Sequence, residues 1–248
     1  MLELKNVTAG YGRNDILDEL SFSVQAGEIV ALLGPNGAGK TTTVRTIGGL
    51  IDTRRGNVIY NDVDISHLSP RARVNNGISV VPEGRSLFFA MTVEENLDLG
   101  AFTRSDRSQI RDDKQRWFDN FPDLLRLRKR FAGSLSGGEQ SIAAFARGMM
   151  SQPTMLILDE PSLGIAPKVL KEIGLVIKKS RDEMGVGCLL VEQDIPFALS
   201  VADRVLVMTG GNIAAEGSPG EFLDGELLRT VFLGIQVTKN TSGEPESA

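Results

Sequence analysis

Three short segments of this chain carry residue types at spacings suited to phosphate chemistry. The first is Gly34-Pro35-Asn36-Gly37-Ala38-Gly39-Lys40-Thr41-Thr42, which follows an apolar run and precedes a helical stretch. Glycines at this spacing let backbone N–H groups point at phosphate oxygens beside a helix N-terminus. The Lys40 ammonium adds positive charge to the phosphates, and the Thr41 hydroxyl is placed to ligate Mg²⁺. The segment therefore predicts a nucleoside triphosphate site.

The second segment is Leu135-Ser136-Gly137-Gly138-Glu139-Gln140, which opens a helical stretch. Ser136 and Glu139 have the spacing of a capping box, in which each side chain satisfies a backbone N–H group of the other residue. A capping box does not require the two glycines between them. Bare backbone at Gly137 and Gly138 would let a phosphate approach the helix N-terminus, so we predict a second anion site here.

The third segment is an apolar run that ends in two adjacent carboxylates, Asp159 and Glu160. Neighbouring residues of a strand point to opposite faces, so the two acids would have different roles if the strand geometry continues through both. Asp159 is suited to hold Mg²⁺, directly or through water. Glu160 is suited to orient or deprotonate the water that attacks a phosphate.

The composition excludes several classes of protein. The formal net charge is -5, which argues against nucleic acid as the main partner. No stretch approaches the ~18 apolar residues of a membrane helix. Cys188 is the single cysteine and lies within an apolar run, so we expect a buried, small hydrophobic residue.

The phosphate loop alone fits GTPases, small-molecule kinases, recombinases and transport ATPases, but the Asn-Lys-x-Asp guanine-binding motif of GTPases is absent.

Hydrophobic periodicity predicts the strands and helices that carry these three segments. Short apolar runs alternate with helical patterns, which predicts an α/β protein with a mostly parallel core sheet. Residues 1–30 and the run at 57–62 instead read as short alternating strands, which indicates an antiparallel portion. Residues from about 86 to 150 have apolar residues at three- and four-residue spacing, so we expect an inserted helical subdomain there. The polar end of the chain, residues 236–248, is expected to be flexible.

With these motifs together, the chain resembles the ATP-binding subunits of ABC transporters, which have a P-loop NTPase fold, over residues 1–235. The resemblance implies ATP and Mg²⁺ as ligands and a head-to-tail dimer with a second ATP-binding subunit, identical or related. In such a dimer, ATP lies between the phosphate loop of one subunit and the LSGGE segment of the other. Tyr11 matches the aromatic residue that stacks on adenine, and residues 162–165 match the segment that crosses the dimer interface.

Two residues depart from the pattern of many ABC proteins. Glu83 stands where many relatives have a glutamine that reaches Mg²⁺ and the attacking water, and Gln193 stands where many have a histidine that touches the γ-phosphate. Both residues are similar to those of the branched-chain amino acid importer group, as are Glu160-Pro-Ser-Leu-Gly164 and Thr230-Val-Phe-Leu-Gly234. This resemblance implies transmembrane permease subunits as partners, an indirect link to a periplasmic solute-binding protein, and a peripheral location at the cytoplasmic face of the membrane.

These departures have physical consequences. Glu83 brings a negative charge towards Asp159, Glu160 and a triphosphate, so it needs Mg²⁺ or an arginine nearby, and Arg85 is a candidate partner. Gln193 can donate and accept hydrogen bonds but cannot carry a proton near neutral pH. The proton acceptor is then Glu160 or the phosphate itself.

The segment Ser86–Met91 contains two adjacent phenylalanines, which would dock a membrane subunit or partly fill the core under the helical subdomain. Two other readings of the function stay open. One is an amide or urea importer, or a lipid exporter. The other is a soluble regulator that binds ATP without transport; such proteins usually carry two ATP domains or a long coiled-coil insertion, which this chain lacks.

Overall fold

The computed structural model describes residues 1–223, and the predictions at residues 230–234, at the domain limit 235 and at the tail 236–248 lie outside them. The strands are β1 Leu2–Tyr11, β2 Asn14–Val24, β3 Ile29–Leu33, β4 Thr53–Tyr60, β5 Val63–Asp64, β6 Ile78–Val81, β7 Met155–Asp159, β8 Gly187–Glu192, β9 Arg204–Thr209 and β10 Asn212–Gly217. The α-helices are α1 Lys40–Ile47, α2 Pro70–Asn75, α3 Val93–Gly100, α4 Arg107–Asn120, α5 Pro122–Arg126, α6 Gly137–Met149, α7 Pro167–Met184 and α8 Ile195–Val201.

The central sheet has the strand order β10-β9-β3-β8-β7-β6. All neighbouring pairs are parallel except the edge pair β10 and β9. Every residue of β3, β7 and β8 is buried, as expected for parallel strands that are covered on both faces. The predicted mostly parallel core sheet is confirmed, and the carboxyl ends of β3, β7, β8 and β6 lie along one edge.

A second sheet is formed by β2-β1-β4-β5. Its neighbours are all antiparallel, so the predicted antiparallel portion is confirmed. One core, which includes Val30, Leu32, Val44 and Tyr60, joins this sheet to one face of the central sheet through α1. The phosphate-loop helix is therefore held between the two sheets.

Helices α3–α6 lie between β6 and β7 in sequence, within the segment predicted to be helical. Trp117 packs edge-on against Phe145 with ring centroids 5.8 Å apart, and Phe121 packs similarly at 6.2 Å. Such aromatic pairs contribute stability beyond their buried area. They fix α6, whose first residue belongs to the LSGGE segment, against α4.

Cys188 is buried in β8, and burial raises the pKa of its thiol to about 12. It is thus an inert apolar residue, as expected. Among residues 1–223, no helix is both long and apolar enough to cross a bilayer.

Candidate nucleotide-binding site

The phosphate loop joins the end of β3 at Leu33 to the start of α1 at Lys40. Gly37 and Gly39 have positive φ values of 83° and 110°, which L-residues with a side chain rarely adopt. A Cβ atom at Gly34 would lie 2.5 Å from the carbonyl oxygen of Met208. The loop therefore requires glycine at these positions for its own conformation.

Lys40 is almost fully buried and folds over its own loop. Its Nζ donates to the carbonyl oxygens of Gly34 at 2.7 Å and Pro35 at 3.2 Å, and lies 3.9 Å from Oε1 of Glu160. Burial lowers the pKa of Lys40, and the Glu160 and Asp159 carboxylates oppose that shift. The ammonium thus lies between the phosphate loop and the end of β7.

A cavity of about 470 Å³ opens over this loop. It is lined by Tyr11, Ile16, Asn36, Gly37, Gly39, Lys40, Thr41, Thr42, Glu83, Glu160 and Gln193. The structure thus brings most of the sequence-predicted residues together from five separate segments. The hydroxyl of Tyr11 accepts a hydrogen bond from Nη1 of Arg45 at 2.8 Å, and its side chain is half exposed at the rim.

Asp159 ends β7 and is buried, with 4% of its surface exposed. Its Oδ1 is buried and has no hydrogen-bond partner within residues 1–223. Burial raises the pKa of Asp159 to about 6, with further contributions from the Glu160 and Glu83 charges. An unpartnered buried carboxylate oxygen is costly unless a ligand satisfies it, so this donor fits a divalent cation.

The residues 1–223 contain no cluster of three or more His, Cys, Asp or Glu side chains that could hold a metal by themselves. This agrees with Mg²⁺ binding in nucleotide sites, which commonly uses one or two carboxylates together with substrate phosphates. Thr41 and Glu83 line the adjacent cavity and could complete such a site with Asp159.

Glu160 lies just beyond the end of β7, with a positive φ of 51°. Strand alternation therefore stops at Asp159, and the sequence argument from opposite faces does not extend to Glu160. Its backbone N–H donates to the carbonyl oxygen of Val191 at 2.8 Å, and Oε1 accepts from Nε2 of Gln193 at 2.5 Å. The ends of β7 and β8 thereby hold the carboxylate at the cavity.

Sequence reasoning missed Glu192, the fully buried last residue of β8. Its carboxylate accepts from the Ser162 N–H at 2.9 Å, the Ser162 hydroxyl at 2.6 Å, and the N–H groups of Gln193 at 3.0 Å and Asp194 at 3.2 Å. Burial raises its pKa, and these hydrogen bonds oppose the shift. The sequence feature that could have identified Glu192 is a charged residue at the end of an otherwise apolar strand.

The capping box at the start of α6 is confirmed. The Ser136 N–H donates to Oε2 of Glu139 at 2.7 Å, and the Glu139 N–H donates to the Ser136 hydroxyl at 3.4 Å. The two glycines also have a packing reason: a Cβ at Gly137 would lie 3.2 Å from the Gly164 carbonyl oxygen, and one at Gly138 would lie 3.2 Å from Val169. These four residues do not line the cavity over the phosphate loop.

The expectation that Arg85 pairs with Glu83 is wrong. The Arg85 guanidinium donates to the Ser141 hydroxyl at 2.8 Å, the Gln140 amide oxygen at 3.1 Å and the Leu163 carbonyl oxygen at 3.0 Å. Glu83 is exposed at the nucleotide cavity instead. The chain turns between the two residues, so their side chains face different neighbours.

The segment Ser86–Met91 divides between core and surface. Leu87 is buried, whereas Phe88 and Phe89 are 54% and 56% exposed. Phe88 lines an open groove of about 500 Å³ together with residues of α2, α3 and α6. The core reading is thus confirmed for Leu87, and docking of a membrane subunit stays a prediction for the exposed Phe88 and Phe89.

Comparisons with known proteins fit this geometry. The sequence profile of the ABC transporter family matches residues 17–163. The high-affinity branched-chain amino acid transport ATP-binding protein BraG of Pseudomonas aeruginosa is 40% identical over 94% of this chain and 100% of its own length. The probable branched-chain amino acid transport ATP-binding protein LivF of Archaeoglobus fulgidus is 35% identical over 95% and 99%. The lipopolysaccharide export system ATP-binding protein LptB of Escherichia coli is 36% identical over 94% and 97%.

Solved structures are similar over the same extent. A nucleotide-free ATP-binding cassette from an ABC transporter superposes with a TM-score of 0.82 at 27% identity, covering 96% of this chain and 99% of that one. An ATP-binding cassette in its ADP conformation gives 0.81 at 28%, covering 95% and 97%. A dimeric cassette in a post-hydrolysis state with ADP and Pi gives 0.79 at 25%, covering 88% and 99%. The chain therefore belongs to the ABC transporter family, as one of its ATPase subunits.

Proposed function

We propose that this protein is the ATP-hydrolysing motor subunit of an importer for branched-chain amino acids, bound peripherally at the cytoplasmic face of the membrane. The observation that carries the proposal is its full-length similarity to two ATP-binding proteins of branched-chain amino acid transport. Glu83 and Gln193, which resemble that importer group, line the same cavity and support it.

Within this site, the phosphate loop from Gly34 to Thr42 binds the β- and γ-phosphates of ATP through backbone N–H groups and Lys40. The exposed ring of Tyr11 at the cavity rim stacks on adenine. Thr41, Asp159 and Glu83 hold Mg²⁺, which when bound neutralises charge on the phosphates. The unpartnered Oδ1 of Asp159 is the structural support for this assignment.

Glu160 orients or deprotonates the attacking water in this proposal. Its Oε1 is held by the Gln193 amide and faces the Lys40 ammonium, so the carboxylate is preorganised before ATP arrives. Gln193 cannot take up a proton near neutral pH. The proton from water therefore passes to Glu160 or to the phosphate.

The proposed working form is a head-to-tail dimer with a second ATP-binding subunit, identical or related. Ser136, Gly137, Gly138 and Glu139 then contact the nucleotide held by the partner's phosphate loop. Their absence from the cavity of this chain supports a role in the other site. A capped helix N-terminus with bare backbone favours an anionic ligand there.

Docking to transmembrane permease subunits is assigned to the groove beside Phe88. The exposed rings of Phe88, Phe89 and Phe102 are costly to leave in water, and Arg71 and Arg147 lie within 6 Å of the Phe102 and Phe88 ring centroids. An amphipathic cytoplasmic helix of a permease fits this mixture of aromatic and cationic groups.

The test is co-purification of the tagged protein from membranes of its own host, followed by binding assays on the recovered solute-binding protein. Permease subunits together with a protein that binds leucine, isoleucine or valine would support the proposal. Binding of urea or a short amide instead would assign an amide importer. The similarity to a lipopolysaccharide export protein makes a lipid exporter the second candidate, and it predicts permease subunits without a solute-binding protein.

Absence of any membrane subunit would contradict both transport readings and favour a soluble regulator. The variant Phe88→Ser with Phe89→Ser is expected to lose the membrane subunits and keep ATP binding. Leu175→Ser is a matched control, because Leu175 is similarly exposed on α7, away from the groove.

A further inference from the structure

Arg85 connects three segments that serve different parts of the ATPase. Its guanidinium donates to Ser141 and Gln140 in the first turns of α6, and to the Leu163 carbonyl oxygen in the segment after Glu160. The Arg85 backbone lies two residues beyond Glu83, which faces the nucleotide cavity. One side chain thus ties the edge of this nucleotide site to α6 and to residues 162–165.

The surrounding backbone is built to hold Arg85 in this position. Gly84, Arg85 and Ser86 all have positive φ values, of 74°, 68° and 48°. Such a conformation is uncommon for residues with side chains and is retained where the surroundings impose it. Arg147 helps to hold this turn by donating to the carbonyl oxygens of Ser86 at 2.7 Å and Arg85 at 3.2 Å.

Gly137 makes room for the guanidinium, and Gly164 lies beside it. A Cβ atom at Gly137 would lie 3.3 Å from one Nη atom of Arg85, and one at Gly164 would lie 3.7 Å from it. Gly137 belongs to the LSGGE segment, and Gly164 belongs to the segment that crosses the interface in related dimers. Arg85 therefore lies against both segments at the point where they approach each other.

A cavity of about 310 Å³ lies beside the Arg85 side chain, bordered by the ends of β6 and β7 and by α6 and α7. Apolar residues of these four elements also pack in one core. Arg85 lines the cavity, and its hydrogen bonds to Ser141 and Leu163 join two of the cavity walls. These polar bonds add a directional connection to the apolar packing.

We propose that Arg85 is a positioning residue that couples the two nucleotide sites of the ATPase dimer. The proposal rests on the head-to-tail dimer of the proposed function, in which Glu83 faces one nucleotide while the start of α6 and residues 162–165 face the other. A shift of Glu83 on nucleotide binding moves the Arg85 backbone. The guanidinium then transmits that shift to the elements of the partner's site.

The chemistry of the contact requires arginine. The planar guanidinium offers five N–H donors in a fixed geometry, whereas lysine offers one ammonium at the end of a flexible stem. Lysine at this position preserves the charge but cannot reach Ser141, Gln140 and Leu163 together. Lysine would restore function if Arg85 acted only through its positive charge. It would not restore function if Arg85 acts by bridging the three partners.

The test compares Arg85→Ala, Arg85→Lys and Ser141→Ala with the unchanged protein. Steady-state ATP hydrolysis is measured against ATP concentration, and fluorescent ATP analogue binding and thermal unfolding are measured in parallel. If co-purification recovers a second ATP-binding subunit, that subunit is included in these measurements. We expect both Arg85 variants to lower the Hill coefficient towards one, from a value whose upper limit is two for two sites.

The same Arg85 variants should lower kcat by about 2- to 30-fold, which is the size of coupling changes carried by single residues, and leave nucleotide affinity of the isolated subunit within about twofold. Ser141→Ala removes one of the three bonds, so a smaller change in the same direction is expected. It also keeps the proposal testable if Arg85→Ala does not fold. Arg104→Ala is the control, because Arg104 also bridges several partners in the helical region, namely Asp106, Asp113 and Met150.

An unchanged Hill coefficient in Arg85→Ala, or full recovery in Arg85→Lys, would overturn the proposal. So would a loss of cooperativity in Arg104→Ala equal to that in Arg85→Ala, because general loosening of the helices would then explain both. Whether the ATPase dimer forms at all is measured separately, by size-exclusion chromatography of the Glu160→Gln variant with ATP. A monomer there contradicts the proposed function, whereas an intact dimer with unchanged cooperativity in Arg85→Ala contradicts only the role of Arg85.

Discussion

The Gln193 amide donates to the Glu160 carboxylate across 2.5 Å, from Nε2 to Oε1. The same carboxylate oxygen lies 3.9 Å from the Lys40 ammonium. Gln193 therefore acts on the proposed general base directly, in addition to any contact with the γ-phosphate. Since an amide carries no charge near neutral pH, this hydrogen bond orients Glu160 without neutralising it.

Glu160→Gln is expected to abolish ATP turnover while ATP still binds and drives dimerisation. The amide preserves the shape of the side chain but cannot accept a proton from water. Phosphate release and size-exclusion chromatography with ATP measure the two effects. Glu183→Gln, on the exposed face of α7, is the control and should retain full turnover. Steady-state hydrolysis by Glu160→Gln would refute the assigned role.

Gln193→Ala is expected to lower kcat by about 10- to 1,000-fold, because Glu160 loses the donor that positions it. The KM for ATP should change much less, since the phosphate loop is untouched. Gln193→His is the informative companion: its imidazole, with an ordinary pKa of about 6.5, should add a pH dependence of kcat near neutrality. An Ala variant with unchanged kcat would show that the hydrogen bond has no catalytic value.

Glu83→Gln is expected to be mild, with kcat within about tenfold of the unchanged protein. The Glu83 charge helps to raise the pKa of Asp159, after burial and the Glu160 charge. Its removal should therefore shift the acid limb of the kcat profile to lower pH, because Asp159 stays ionised further into the acid range. A pH–rate profile checks the shift, and a fall in kcat of about a hundredfold or more would contradict the prediction.

Asp159→Asn is expected to stabilise the nucleotide-free protein at neutral pH. The pKa of Asp159 is raised from 3.8 to about 6 in the folded protein, so the folded state favours the protonated carboxyl. The stability that the protonated Asp159 carboxyl contributes is present in full below pH 3.8. This contribution is lost as pH rises through about 6, by on the order of a few kcal/mol.

The Tm difference between Asp159→Asn and the unchanged protein should therefore grow between pH 4 and pH 7. Addition of Mg²⁺ with ATP should raise the Tm of the unchanged protein more than that of the variant, because the carboxylate ligand is gone. Asp112→Asn, an exposed position in α4, is the control and should show no such trend. A Tm difference that is constant with pH would exclude a raised pKa at Asp159.

Glu192→Gln is expected to lower the free energy of unfolding by about 1–3 kcal/mol. Its new NH₂ group would face donors from which the carboxylate oxygens now accept hydrogen bonds. The kcat should also fall, since Glu192 fixes the backbone of Gln193. Ser162→Ala removes only the hydroxyl bond and should have a smaller effect on both quantities. Chemical denaturation and phosphate release measure them, and unchanged kcat in Glu192→Gln would limit the residue to stability.

The elements and motifs that depend on local rules can be predicted from the amino-acid sequence. The phosphate loop follows from glycine spacing between a strand and a helix, and the capping box follows from Ser136 and Glu139 three residues apart. The buried strands β3, β7 and β8 follow from continuous apolar runs. In each case the physical cause lies within about ten residues of chain, so the pattern can be read without knowing the neighbours.

Which of these segments contact one another is visible only in the folded chain. Arg85 bonds to residues 55, 56 and 78 positions away rather than to Glu83 two positions away, because the left-handed turn at residues 84–86 sends the two side chains apart. Glu192 gains two of its donors from Ser162 because β7 and β8 are adjacent in the sheet. Strand order and backbone turns are properties of the whole packed chain, since they depend on which faces bury best together, and no local spacing encodes them.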